Sequence, residues 1–224
     1  MYTSSTTLWG RLPFLFIYAL ALVLWFALSH VLFSTSQLSD LSSEDHVIEN
    51  LSVYGLLIAA IAGVYAGWIS KERIWFLFAF FMLFAMLREL DVHSAFMTMS
   101  ILKSRFYVSP EVPFHEKMIG GAVLLLLACG IYKALRTLPF TLKRLLNGDS
   151  VALAAYTAFG IMCVAKFIDS SSRLMPSLAP LRLMHDVFLV YIEENLEMFM
   201  GMTFAMAPLI FIYGYTARQG DNDI

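Results

Sequence analysis

Apolar residues in this chain run in long blocks broken by short polar connections. Six blocks reach the roughly 20 mostly apolar residues that a transmembrane helix needs: 12–33, 51–69, 74–96, 118–135, 151–168 and 187–215. The pattern predicts an all-α polytopic membrane helix bundle, a single transmembrane domain over 1–224. The first block is too long for a signal-peptide core and lacks a small-residue cleavage site, so it reads as a retained helix. On the second helix Gly55, Ala59, Gly63 and Gly67 recur every four residues, a stripe that lets membrane helices approach closely. Pro208 is expected to bend the sixth.

The connections differ between the two ends. Lys71 and Arg73 lie between helices two and three, and Lys133, Arg136, Lys143 and Arg144 between four and five. Arg11 and Arg218 flank the outermost blocks. The positive-inside rule makes this end cytoplasmic and puts both termini there. Pro139 to Leu146 is expected to form a separate short amphipathic helix, stopped by Asn147-Gly148-Asp149. At the other end, Ser42 and Asp45 suit a capping box before helix two, and Lys103 to Lys117 reads as an interfacial loop or partial lid.

Composition narrows the classes. Of 224 residues, 59% are hydrophobic and 14% charged, with a net charge of −2, which leaves no chain for a large water-soluble catalytic domain. No basic run interleaved with aromatics suggests a nucleic-acid partner; the expected partner is membrane lipid. Cys129 and Cys163 lie in apolar runs without metal or redox spacing and read as packing residues.

The charges carry the strongest signal. The acids other than Glu72, Asp149, Asp221 and Asp223, and all five histidines, fall at the outer end. Counted from Ile74 at 1.5 Å per residue, Arg88 lies about 21 Å into a hydrocarbon core roughly 30 Å thick, and Lys166, counted from Val151, lies about 22 Å in. Helical spacing then aligns Glu89 with His93, Arg88 with Asp91, Lys166 with Asp169 and Arg173, Asp186 with Glu193 and Glu197, and Glu49 with Ser52. Four helices would aim polar stripes at one outward-facing cavity. Ionisable groups at such depth are costly, which marks the cavity as functional.

The chemistry these residues suggest is metal-assisted hydrolysis of a lipid or lipid-linked substrate. Glu89, Asp91, His93 and His185 are candidate ligands for Zn²⁺ or another divalent metal, which would lower the pKa of a bound water. Glu49, Glu193, Glu194 and Glu197 are candidates for acid–base work, and Arg88 and Lys166 for stabilising an oxyanion. Arg173, Asp169 and Ser52 would contact substrate. The other readings are ion- or proton-coupled transport, a lipid-binding or sensing module, and a charge network that only fixes the bundle. Against transport, the inner halves of the helices lack polar residues and no inverted repeat is visible.

Glu49-Asn50-Leu51-Ser52 at a helix start, Asp91-Val92-His93 at a helix end and His185 late in the chain resemble elements of the alkaline ceramidase-like superfamily. That resemblance implies a multi-span hydrolase using Ser, Asp and His around zinc. The chain departs from the family's paired C-terminal histidines, since Leu189 stands four residues after His185. Glu49–Leu51, Arg88–His93 and Glu193–Glu197 more closely resemble an uncharacterised class of small bacterial multi-pass proteins. This second resemblance implies a bacterial inner-membrane location and no particular reaction.

Overall fold

The computed structural model describes residues 20–29, 31–34, 37, 47–92, 96–101, 103–174 and 182–222, in which every regular element is a helix. In chain order these are α1 (Leu20–Ser29), α2 (Val47–Ser70), α3 (Arg73–Glu89), α4 (Ser104–Val108), α5 (Phe114–Leu146), α6 (Ser150–Leu174) and α7 (Arg182–Asn222). The chain is thus an all-α membrane-helix bundle. Among the described residues four segments are long and apolar enough to cross a membrane: Asn50–Ser70, Phe114–Leu146, Ser150–Ile168 and Leu189–Ala217. The described part of α1 and the 17-residue α3 are apolar but shorter. The expected capping box at Ser42 and Asp45 lies outside the described residues.

Helix α7 is the axis of the bundle, with α2 and α6 packed along it and α3 packed on α2. The glycine stripe of α2 explains how α2 serves two neighbours. A methyl group on Gly55 would lie 2.7 Å from the carbonyl carbon of Gly201 on α7, whereas one on Gly63 would meet Phe78 and Ala79 of α3. The upper part of the stripe therefore seats α7 and the lower part seats α3, in the manner of small-residue membrane interfaces. Leu56, Ala59 and Ala60 of α2, Ile161 and Ala165 of α6, and Met200 and Phe204 of α7 close the core around this contact. Aromatic contacts tie α3 to α7 lower down, with ring centroids 4.8 Å apart for Trp75 and Phe211 and 6.1 Å for Phe78 and Phe204.

Two helix boundaries differ from the sequence expectation. Helix three was expected to run to 96, but α3 ends at Glu89, and Asp91 has a φ of 45°. That left-handed conformation breaks the helix, so Arg88 and Asp91 do not share the helical stripe that their spacing suggested. The separate amphipathic helix expected from Pro139 does not form: α5 runs unbroken from Phe114 through Pro139 to Leu146. Its 33 residues span about 50 Å at 1.5 Å each, longer than the hydrocarbon thickness. Only 11% of its most apolar stretch is buried, against 56% for those of α2 and α7, so α5 is a peripheral helix with most of its surface unpacked among the described residues.

The connections are built by local chemistry. Between α5 and α6, Gly148 takes a φ of 73°, a conformation that glycine adopts at little cost. Asp149 Oδ1 then accepts the backbone N–H groups of Val151 and Ala152, each at 2.9 Å, as an N-cap does. Its other oxygen accepts Arg144 Nε at 3.1 Å and a terminal guanidinium nitrogen at 2.8 Å. At the far end of α5, the segment expected to be an interfacial loop folds over α4 around Ile101, Phe106 and Val112. Thr98 pins it to α5 by donating its backbone N–H and hydroxyl to Glu116 at 2.8 and 3.0 Å.

Candidate functional site: a charged cluster on α3, α6 and α7

Lys166 projects from α6 towards α7, where Glu193 and Glu197 stand one helical turn apart. Its ammonium lies 2.5 Å from Glu197 Oε1 and 3.6 Å from Glu193 Oε1. Glu197 is nearly sealed, with 8% of its side chain exposed, whereas Lys166 is 35% exposed. Among the described residues Glu197 Oε1 accepts no hydrogen bond of good geometry. The lysine contact is therefore best understood as charge compensation at short range, not as a well-aligned hydrogen bond. From α3, Glu89 reaches the same place, close enough to Glu197 for the two carboxyl groups to repel one another when both are ionised. Arg88 pairs with Glu89 at 3.6 Å and is the exposed edge of the cluster.

Close packing of α2 on α7 fixes the position of Glu197. Below it, the Gly55–Gly201 contact brings the backbones together, and the buried Ser52 hydroxyl donates to the Glu197 carbonyl oxygen at 3.2 Å. Ser52 thus supports the backbone that carries the carboxylate. Ala165 and Leu196, next in sequence to Lys166 and Glu197, belong to the apolar core. The ionic groups consequently rest directly on hydrocarbon. Three carboxyls, Glu89, Glu193 and Glu197, face two cations, Lys166 and Arg88. A buried ion pair of this kind is weak as a source of stability, since apolar replacements are often as stable.

The remaining expected residues are placed as follows. Glu194 lies on the same turns of α7, half-buried. Asp91 is exposed beyond the end of α3. Glu49 is in the first turn of α2, Asp169 and Arg173 are in the last turns of α6, and His185 is in the first turn of α7, but their side chains lie outside the described residues. His93 lies outside them altogether. No family model, curated protein or solved structure matches this chain.

Among the described residues no three His, Cys, Asp or Glu side chains group as metal ligands. Glu89 is engaged with Arg88 and Glu197, and the Lys166 ammonium stands between the carboxylates of Glu193 and Glu197. The described residues alone thus do not complete the expected Zn²⁺ site.

A polar chain that spacing alone did not single out runs beside the cluster. Trp25 Nε1 donates to Asn195 Oδ1 at 3.2 Å, and Asn195 Nδ2 donates to the Tyr191 carbonyl at 2.8 Å. The Tyr191 hydroxyl donates to Ser29 Oγ at 3.1 Å, and Ser29 donates to the Trp25 carbonyl at 2.7 Å. Tyr191 and Asn195 are each 1% exposed, so these bonds form in a low-dielectric interior where a missing partner is costly. They dock α1 on the turn of α7 that carries Glu193, Glu194 and Glu197. One signal was present in the sequence: Asn195 sits between acids on an otherwise apolar helix, four residues after a tyrosine.

Proposed function

We propose that the Lys166 cluster is the acid–base site of a membrane hydrolase acting on a lipid or lipid-linked substrate. The observation that carries this reading is the placement of Lys166 against buried Glu197, with Glu193 and Glu89 alongside, at the edge of an apolar core. Neighbouring carboxyls at Glu89, Glu193 and Glu197 would serve general acid–base catalysis: an ionised carboxyl takes a proton from the attacking water, and the carboxylic acid so formed returns it to the leaving group. Lys166 and Arg88 supply positive charge where an oxyanion or phosphate develops negative charge.

The basic connections, Lys71 with Arg73 and Lys143 with Arg144, lie at the opposite end of the helices from this cluster. That asymmetry supports an outward-facing site in a bacterial inner membrane with both termini cytoplasmic. Leu56, Met82, Met200 and Phe204 pack in the core shared by α2, α3 and α7. This packing favours a one-sided site over a conducted ion or proton path, which needs polar groups across the bilayer.

The test is product formation in vesicles of bacterial total lipid, read by mass spectrometry. The wild type should release a cleaved lipid, and Lys166→Met or Glu197→Gln should lower the rate by about 100-fold or more, the scale of general acid–base contributions. A wild type without product, or variants of undiminished rate, would refute the proposal. Metal analysis of the same preparations decides how water is activated. Stoichiometric Zn lost in His93→Ala or His185→Ala would transfer that role from the carboxyls to a metal bound by Glu89, Asp91, His93 and His185.

A further inference from the structure

At the end of the bundle away from Lys166, α3, α5, α6 and α7 leave a cavity of about 290 Å³ between them. Trp75 and Phe78 of α3, Thr141 and Arg144 of α5, and Ala155 and Tyr156 of α6 are among its lining residues. The wall is almost entirely apolar, and its few polar groups are informative. Thr141 Oγ1 and the Tyr156 hydroxyl satisfy one another at 2.8 Å. The Trp75 indole N–H is buried and has no acceptor among the described residues, a deficit that native interiors rarely leave uncompensated. Arg144 is bound to Asp149 through Nε and one terminal nitrogen, so its guanidinium has further donors to offer.

We infer that this cavity holds an acyl chain of an anionic phospholipid whose headgroup meets Arg144. Three observations argue for that occupant. The volume is about twice that of a 150 Å³ cavity able to hold benzene, enough for a length of hydrocarbon chain and too little for a whole lipid. One wall is α5, an apolar helix long enough to cross a membrane and mostly unburied, which leaves a sideways route for a chain to enter. The one charged lining residue is basic: Arg144 stands with Lys143 in the last turn of α5, and basic residues at a membrane surface attract anionic headgroups. The site is remote from the Lys166 cluster and does not depend on the hydrolase reading.

Fluorescence quenching tests it. A variant retaining only Trp75, with Trp9, Trp25 and Trp68 replaced by Phe, is placed in vesicles containing chain-brominated phosphatidylglycerol or, at equal content, chain-brominated phosphatidylcholine. Trp75 is 5% exposed, so bulk lipid touches it little and quenching reports a chain in the cavity. Quenching by the phosphatidylglycerol should be at least twofold stronger. Adding Ala155→Phe, which fills the cavity, should abolish that excess, with helix content by circular dichroism confirming the fold. Arg144→Gln, which leaves the cavity intact, should reduce phosphatidylglycerol quenching to the phosphatidylcholine level. Equal quenching by the two lipids in the parent variant, or an excess that survives both substitutions, would overturn the inference.

Discussion

Gly55→Ala should loosen the helix pair on which the charged cluster rests. The added methyl would sit 2.7 Å from the Gly201 carbonyl carbon and 2.8 Å from the Met202 nitrogen, against the roughly 3.5–4.0 Å that carbon contacts prefer. Both obstacles are backbone, so no rotamer change relieves them and α2 must move from α7 by about 1 Å. Overpacking costs about 1–3 kcal/mol, and the rigid neighbours put this site at the upper end. Separation also stretches the Ser52 to Glu197 hydrogen bond, worth about 0.5–1.5 kcal/mol, while alanine's helix propensity returns about 1 kcal/mol. The net expectation is a loss of about 2–3 kcal/mol, measured by detergent-induced unfolding followed by circular dichroism. Gly160→Ala is the control, because a methyl there meets nothing within 4 Å, and it should be neutral or slightly stabilising. Gly201→Ala attacks the same contact from the other side, 2.8 Å from the Ser52 carbonyl oxygen. The double variant should therefore lose less than the sum of the single losses. A Gly55→Ala protein as stable as the wild type would refute the close α2–α7 crossing and the support that it gives Glu197.

Lys166→Met strands the buried Glu197 carboxylate. Removing one partner of a fully buried pair costs about 3–5 kcal/mol, and the partial exposure of Lys166 reduces the expected loss to about 2; adding Glu197→Gln should recover most of it in a double-mutant unfolding cycle. Asn195→Leu removes the acceptor of the Trp25 indole and should cost about 1–3 kcal/mol, with a shifted Trp25 emission as α1 loosens. Asp149→Ala deletes the α6 cap, a loss of about 1–2 kcal/mol, and should speed amide exchange at Val151 and Ala152.

The helices and the charged ends of α3, α6 and α7 were legible in the sequence because both signals are local. Long apolar blocks mark spans, and a turn-by-turn count placed Arg88 and Lys166 at matching depth. In the structure Lys166 meets Glu193 and Glu197 on the neighbouring α7. The end of α3 was not legible, since the left-handed turn at Asp91 is made by a residue type that usually tolerates a helix end without announcing one. The continuity of α5 through Pro139 was missed because a proline in a mostly lipid-facing helix removes one hydrogen bond without splitting the helix. Ser52 aligned with Glu49 by spacing, yet its partner is the Glu197 backbone, a choice fixed by two glycines 146 residues apart, Gly55 and Gly201. The cavity beside Trp75 draws its wall from four helices. No periodicity along any one of them reveals it.

The proposed proton transfers by Glu197 and its neighbours during hydrolysis can be followed with heavy-oxygen water. Wild-type protein in lipid vesicles prepared in such water should release a product carrying the heavy isotope at the cleaved bond, while Glu197→Gln, folded to the same helix content, should release almost none. Product without the isotope, or equal incorporation by the two proteins, would contradict the account.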